Sequence, residues 1–491
     1  MILCVLGHKF HYEMENICRI FFPQEKIKVV YTGGTELDKK VVMTKLERKD
    51  NSVVISVRVD IGSEAKACTK IVEDVNGADA SELERQMALA LYTVLTRVTG
   101  YIPGWGIITG VRPAKLMATL IEEYGEPEAI NYFREKLLVG KEKTELTFSV
   151  VKKEEEIIRK AKENCFSLYI SIPFCPSRCS YCSFVSQSIT GQKAKEQVSD
   201  YVVNLCREIE SIGKVSVRLG LKPQTVYFGG GTPTTLDEKD LETLFKAVNR
   251  IFDLSEVDEY TVEAGRPDTI TPGKLQLMKK YGVSRISINP QSFNDAVLET
   301  AHRKHTSGCT IDAFKLARSV GFSVINMDLI AGLPEETYES FLNSLDITIG
   351  LAPENITIHS LALKRSSSLT LKGNVSFNGE AVSAMIREAK IKLESSGYTP
   401  YYMYRQSLSP GNNENTGWCK AGYESLYNVF MMEECQTVLA AGAGAVTKLK
   451  QRAGKHIERI FNFKYPFEYN NRFEEMITRK SRIEEFYSEF G

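Results

Sequence analysis

The chain has 491 residues but no apolar run near the ~20 needed to cross a bilayer. Its longest candidate, Val438–Val446, is far too short. It has no excess of charge either: 62 Lys and Arg against 62 Asp and Glu leave a formal net charge of zero. That balance gives no electrostatic case for nucleic acid or an anionic lipid surface as the main partner, and no stable membrane insertion is expected. The opening MILCVLGHKF carries no basic leader and no long apolar segment, so no secretory signal is expected and the expected location is cytoplasmic. A disulfide framework is missing as well, because 11 cysteines are an odd number in a chain too long for a small stapled fold. Cys4, Cys18, Cys68, Cys165, Cys206, Cys309, Cys419 and Cys435 stand singly and read as small apolar side chains.

Three cysteines break that pattern: Cys175, Cys179 and Cys182 fall within one short loop. Their surroundings decide what they do. At about 150 residues per domain the length suggests roughly three domains, fewer if one is a barrel. Residues 1–160 read as an α+β extension of unknown role. It has a strand-like alternation at Val53–Val59 and a helix from Ser81, whose Ser-x-x-Glu start is a capping box, to about Thr99. Gly110-Val-Arg-Pro lies in the turn-rich stretch that follows, and Lys152–Asn164 reads as a charged helical connector.

From 161 to 400 short apolar strands alternate with amphipathic helices. The strands are expected at Leu168–Ile172, Thr225–Phe228, Glu259–Glu263, Arg285–Ile288, Ser323–Ile330 and Asn355–Leu361. The helices are expected at Lys195–Ile212, Glu238–Phe252, Pro272–Tyr281, Cys309–Val320, Glu335–Gly350 and Gly379–Gly397. Six strand-then-helix units imply a parallel sheet with right-handed crossovers, open to an incomplete barrel or a doubly wound sheet. Residues 401–491, rich in Tyr, Asn and Glu, are expected to form a separate C-terminal α+β region covering the substrate.

The unusual residues all follow a strand. The cysteine loop follows the first, Gly229-Gly-Gly-Thr-Pro the second, and Glu263 ends the third. Pro290-Gln291 follows the fourth, Asp328 lies late in the fifth, and Leu361-Ala-Leu-Lys-Arg follows the sixth. Carboxyl ends of parallel strands are where α/β folds place their sites. Each piece alone reads as a turn or cap; together, at one end of one sheet, they read as a site. Zinc normally takes four ligands, commonly from two distant pairs, and no second Cys or His cluster exists beyond the lone His302 and His305. A [4Fe–4S] cluster held by three thiolates leaves one iron open to a small molecule, and the glycine run favours it over zinc.

Tyr169-Ile-Ser-Ile-Pro-Phe-Cys-Pro-Ser-Arg-Cys-Ser-Tyr-Cys-Ser-Phe resembles the opening motif of the radical S-adenosylmethionine (SAM) enzymes. With Gly229-Gly-Gly-Thr-Pro and Asp328-Leu-Ile-x-Gly-Leu-Pro it is similar to the oxygen-independent coproporphyrinogen III oxidases and their relatives over about 165–365. Gly411-Asn-Asn-Glu-Asn-Thr-Gly, Ala440-Ala-Gly-Ala-Gly-Ala-Val-Thr-Lys and the N-terminal extension resemble the HemZ-type coproporphyrinogen dehydrogenase variant. The resemblance implies a radical SAM partial (β/α)6 barrel with a [4Fe–4S] cluster on Cys175, Cys179 and Cys182. It places Tyr169 and Tyr181 beside the cluster and SAM, and has Gly230, Gly231 and Thr232 offer backbone groups to the methionine moiety. Glu263, Gln291 and Asp328 match SAM-contacting positions, Arg303 would hold the SAM carboxylate, and Ala362 would meet adenine through its backbone. It further implies oxidative decarboxylation of coproporphyrinogen III to protoporphyrinogen IX in haem biosynthesis. A radical would take a hydrogen from a propionate β-carbon, CO₂ would leave as a vinyl group forms, and an electron would pass to an acceptor. A low-potential donor such as flavodoxin or ferredoxin is implied, and Lys364, Arg365 and Arg405 are candidate partners for the substrate carboxylates. Two departures point to the haem-chaperone branch instead: Phe184 stands where the well-characterised oxidases have cysteine, and Ser171 where they have histidine.

Overall fold

A computed structural model describes residues 1–23, 25–32, 40–49, 52–61, 64–73, 79–184, 186–189, 192–362, 379–406 and 409–491. They fall into two compact units. One comprises Met1–Ser149, Asn378–Ser383 and Met403–Glu414; the other comprises Val150–Phe377, Ala384–Tyr402 and Asn415–Gly491.

The first unit is an α+β layer. Its strands β1 (Ile2–Leu6), β2 (Lys28–Val30), β3 (Val41–Lys49), β4 (Ser52–Ile61) and β5 (Glu64–Glu73) lie in the order β2-β1-β3-β4-β5. The alternation read at 53–59 is real: Val53, Ile55, Val57 and Val59 are buried on one face of β4. They join one core with Met14 and Ile17 of the helix His11–Phe21 and Leu91 and Leu95 of the helix Ala80–Thr99. The capping reading at Ser81 is corrected. The helix starts at Ala80, Asp79 is the N-cap, and the Ser81 hydroxyl donates to the Asp79 carboxylate at 2.7 Å. The connector read at 152–164 is helical only as far as Ile158, at the end of the helix Lys141–Ile158.

In the second unit the expected strands appear as β6 (Cys165–Ile172), β9 (Lys222–Gly230), β10 (Glu259–Glu263), β11 (Arg285–Ser287), β12 (Val324–Ala331) and β13 (Asn355–Ser360). The short strands β7 (Phe174–Cys175) and β8 (Gln187–Ser188) pair with each other across the cysteine loop. Every neighbouring pair from β6 through β13 in the main sheet is parallel. The expected helices lie at Gln192–Arg218, Glu238–Ile251, Pro272–Lys280, Ser307–Ser319, Tyr338–Leu351 and Gly379–Ser395.

Residues of the C-terminal stretch enter this same sheet rather than standing apart. With β14 (Thr399–Arg405), β15 (Glu414–Cys419), β16 (Thr437–Ala441), β17 (Val446–Lys450) and β18 (Ile457–Phe461), the order is β14-β15-β13-β12-β11-β10-β9-β6-β16-β17-β18. β16 adds a parallel strand beside β6, and β15 an antiparallel one beside β13. The end strands do not pair with one another, so the fold is an α/β partial barrel left open.

Strand periodicity then sorts the side chains. Phe166, Leu168, Ile170, Ile172, Val226, Phe228, Val262, Ile286, Ile325 and Met327 face the helices and share a core with Tyr201, Leu205, Leu244 and Phe245. Alternate positions on these strands (Tyr169, Ser171, Tyr227, Gly229, Glu263 and Asp328), with His359 of β13 in register beside Ile330, therefore face the other way, into the barrel. Fewer than half of these are apolar. That is the signature of a site, since a sealed interior would be filled with branched aliphatics.

Candidate active site

The cysteine loop leaves β6 and is pinned at several points. The Ser180 amide donates to the Ala301 carbonyl at 3.0 Å, and the Cys182 amide to the Cys179 carbonyl at 3.2 Å. The amides of Gly231 and Thr232 donate to the carbonyls of Ile172 and Phe174, each at 2.8 Å. Thr232 Oγ1 lies 3.5 Å from Cys175 Sγ. Glycine is required for this close approach: a Cβ on Gly231 would lie 2.6 Å from the Phe174 carbonyl oxygen and 2.9 Å from that of Ile172. Gly230 has φ +104°, a conformation that side chains resist. The N–H groups of Gly231 and Thr232 are thus engaged within the protein, and the Thr232 carbonyl accepts from the Thr235 amide at 2.9 Å.

All three loop cysteines are free thiols, partly exposed. Burial raises the Cys175 thiol and pushes Cys182 up to about 11, so only a bound cation would hold them as thiolates near neutral pH. Among the described residues no three His, Cys, Asp or Glu side chains converge on one metal ion. In a [4Fe–4S] cube each thiolate would bind a different iron, so such a site needs no convergence on one ion.

Arg303 supports an anionic occupant. It is only 6% exposed, and no carboxylate lies within ion-pair distance of it among the described residues. Its Nη1 donates to Tyr181 Oη at 2.8 Å and approaches Cys179 Sγ at 4.0 Å, while Nη2 donates to the carbonyls of Gly265 and Asn289. Nε is buried with no protein partner. A buried guanidinium without an acid is costly unless an anion completes it. Gln291 shows a similar vacancy in its bonding. It is left-handed at φ +67°, locked by its amide to the Asp328 carbonyl and by its own carbonyl to the Ile330 amide, and its Oε1 is buried without a partner. Strain held this firmly is a feature of ligand sites.

Two carboxylates of opposite character face the barrel interior. Tyr227 Oη donates to Glu263 Oε1 at 2.5 Å, and burial, with Asp328 nearby, pushes the Glu263 carboxyl up to about 7. Burial also raises Asp328, but His359 and Asn326 outweigh it and hold that carboxyl below its ordinary range. Asn326 Nδ2 donates to Asp328 Oδ1 at 2.7 Å, and His359 Nε2 lies 3.6 Å from Oδ2. Tyr169 stacks on Tyr227 and Tyr427 with ring centroids 6.2 Å away in both cases, and Tyr181 packs against Val297, Ile330, Leu333 and Leu361. Ala362 lies two residues beyond β13.

Tyr427, Tyr227, His359 and Arg266 were not singled out in the sequence. Strand alternation would have found Tyr227 and His359, but the others needed the tertiary fold. Lys364 and Arg365 lie outside the described residues. Arg405 is corrected: only 3% exposed, it donates to the carbonyls of Ile108 and Gly110 and lies over the Trp105 ring within the first unit. These contacts tie it within the first unit, and its Nε, like that of Arg303, is buried without a protein partner. Ser171 donates to the Ala443 carbonyl at 2.8 Å, which ties β6 to the glycine-rich segment after β16, and Phe184 is exposed.

Comparisons with known proteins agree with this geometry. Residues 169–347 match the Radical SAM superfamily. The chain is 36% identical to the oxygen-independent coproporphyrinogen-III oxidase-like protein HemZ of Bacillus subtilis, over 96% of this chain and 95% of that one. It is 31% identical to the heme chaperone HemW of Bacillus subtilis, over 57% of this chain and 70% of that one. Coproporphyrinogen III oxidase (HemN) from Escherichia coli, a radical SAM enzyme, shares the fold with a TM-score of 0.53 at 22% identity, over 67% of this chain and 73% of that one. The three-thiol loop, the buried Arg303 and the open polar groups fit the superfamily's two cofactors. The chain therefore belongs to the radical SAM superfamily, in the family of the oxidase-like protein HemZ, and its cofactors are a [4Fe–4S] cluster and S-adenosylmethionine.

Proposed function

We propose that this protein is an oxygen-independent coproporphyrinogen III oxidase. It decarboxylates two propionates of coproporphyrinogen III to the vinyl groups of protoporphyrinogen IX, in the cytoplasm, with electrons from a flavodoxin- or ferredoxin-like donor. The observation that carries the reading is near full-length similarity to the HemZ oxidase-like protein, including the N-terminal unit and the C-terminal strands. Cys175, Cys179 and Cys182 hold the cluster. When bound, the two cofactors together supply a carbon-centred radical able to take hydrogen from an unactivated carbon.

The chain's own groups bind and orient. Arg303 offers Nε to the SAM carboxylate, and Gln291 offers Oε1 to a donor. Asp328, kept ionised, accepts from ribose hydroxyls. Glu263, near half protonation at neutral pH, both donates and accepts there. The carbonyls of Gly230 and Gly231 accept from the SAM amino group, Ala362 faces adenine, and Tyr169, Tyr181 and Thr232 line the walls. Val297, Ile330, Leu333 and Leu361 keep water away from Tyr181.

A second reading, a haem-delivery protein that keeps the SAM site, is favoured by the HemW similarity and by Ser171 and Phe184. Anaerobic incubation of the reduced holoprotein with SAM, coproporphyrinogen III and an electron acceptor separates the two. Mono- and divinyl porphyrins on chromatography support the oxidase. SAM turnover without vinyl products, together with tight stoichiometric haem binding, replaces it with the chaperone.

A further inference from the structure

Glu263 is followed by a turn, Gly265-Arg266-Pro267-Asp268, that comes back beneath the cysteine loop. Arg266 is only 3% exposed. Its Nε and Nη2 donate to the two oxygens of Asp268, each at 2.9 Å, which fixes the guanidinium plane. The remaining nitrogen, Nη1, is thereby aimed at the cysteine loop. It lies 3.2 Å from Ser177 Oγ, 3.4 Å from the Ser177 carbonyl and 3.8 Å from Cys179 Sγ. Arg303 approaches the same sulfur at 4.0 Å. Cys179 thus receives two guanidinium groups, while Cys175 meets the Thr232 hydroxyl.

The local charge is asymmetric. Asp268 neutralises Arg266, Arg303 has no acid, and His305, 3.9 Å from Asp268, is kept neutral by burial and by the two arginines. Among Arg266, Asp268, Arg303 and His305, one net positive charge remains beside Cys179.

We infer that Arg266, held by Asp268, is a positioning residue that donates to the Cys179 sulfur and raises the reduction potential of the cluster. This rests on the reading of Cys179 as a cluster ligand. Reduction adds one electron, taken from a low-potential flavin or iron–sulfur protein, and one unit of negative charge to the cluster. A fixed cation and an N–H donor at a ligand sulfur stabilise the reduced form more than the oxidised form. The arrangement lets a weaker reductant load the site.

The test is an EPR-monitored redox titration of the reconstituted full chain. Arg266→Gln, carrying its full iron and sulfide, is expected to shift the one-electron reduction equilibrium about tenfold toward the oxidised cluster, about 59 mV more negative. Arg266→Lys keeps the charge and stays nearer the parent. An unchanged potential in a fully loaded Arg266→Gln overturns the inference. Should that variant hold no iron, Arg266→Lys decides: a smaller fall, from loss of the clamped N–H donor with the charge kept, supports the inference, and an unchanged potential overturns it. Failure of the ligand reading has its own sign, a Cys179→Ala protein that keeps its cluster.

Discussion

At the scale of single residues the site separates groups that hold the metal from groups that hold SAM, and each set has its own failure. Alanine at Cys175, Cys179 or Cys182 is expected to abolish iron binding after anaerobic reconstitution. Alanine at Cys165 should not, because that residue begins β6, at the end of the strand away from the loop. Equal iron loss in the Cys165 variant would show that the ligand set is wrong. Arg303→Ala is expected to leave the cluster assembled and weaken SAM by about 1.5–3 kcal/mol, roughly ten- to a hundredfold in dissociation constant. An unchanged constant in a SAM titration removes Arg303 from the site. Glu263 gives a pH signature. Its carboxyl is raised to about 7 in the fold against an ordinary 4.5, so the native state binds this proton more tightly than the unfolded chain. Stability of the cofactor-free protein therefore declines as pH rises from about 4.5 through about 7. Glu263→Gln should remove that decline, whereas thermal midpoints that run parallel with pH in the two proteins would show that Glu263 titrates normally.

At the scale of elements, what could be read from sequence follows from range. The six strand-and-helix units were legible because their periodicity is local; Glu259–Glu263 matches to the residue. The pairing of β16 with β6 was not. Thr437–Ala441 is a short apolar run, and nothing in it marks a partner some 270 residues away. Arg405 was misread for a related reason, since sequence shows charge but not burial. The Gly229–Gly231 run stood out in the sequence, and in the fold Gly231 packs against the carbonyls of Ile172 and Phe174. Gly231→Ala is accordingly expected to cost about 1–3 kcal/mol and to lower iron retention, both read on reconstituted protein. Full stability and full loading would show that the loop tolerates the displacement. Elsewhere in the unit, Glu208 accepts from the Gly442 amide, Asn462, Tyr469 and Lys480, whose Nζ is 3.0 Å away; both charged groups are almost fully buried. This network anchors Gly442, next to the segment that Ser171 binds. Lys480→Met should destabilise by about 3–5 kcal/mol in denaturant titration, because it strands a buried carboxylate. A loss under 1 kcal/mol would mean that the other donors suffice.

For the molecule as a whole, chemistry was more legible than geometry. A cysteine triplet and residues at successive strand ends identified the cofactors, because those residue types are forced by the chemistry. The polar interior of the barrel, the tyrosine stack and the Arg266 turn depend on strands brought together from distant sequence. No helix among the described residues is long and apolar enough to cross a membrane. The central claim is that three thiolates present an open iron to SAM at the mouth of this barrel. Its most direct test is single-turnover reduction of the anaerobically reconstituted chain with dithionite in the presence of SAM, followed by chromatography. Methionine and 5′-deoxyadenosine in equal amounts, lost in each of the three cysteine variants, are the expected result. A colourless protein with stoichiometric zinc, no iron and intact SAM would contradict it.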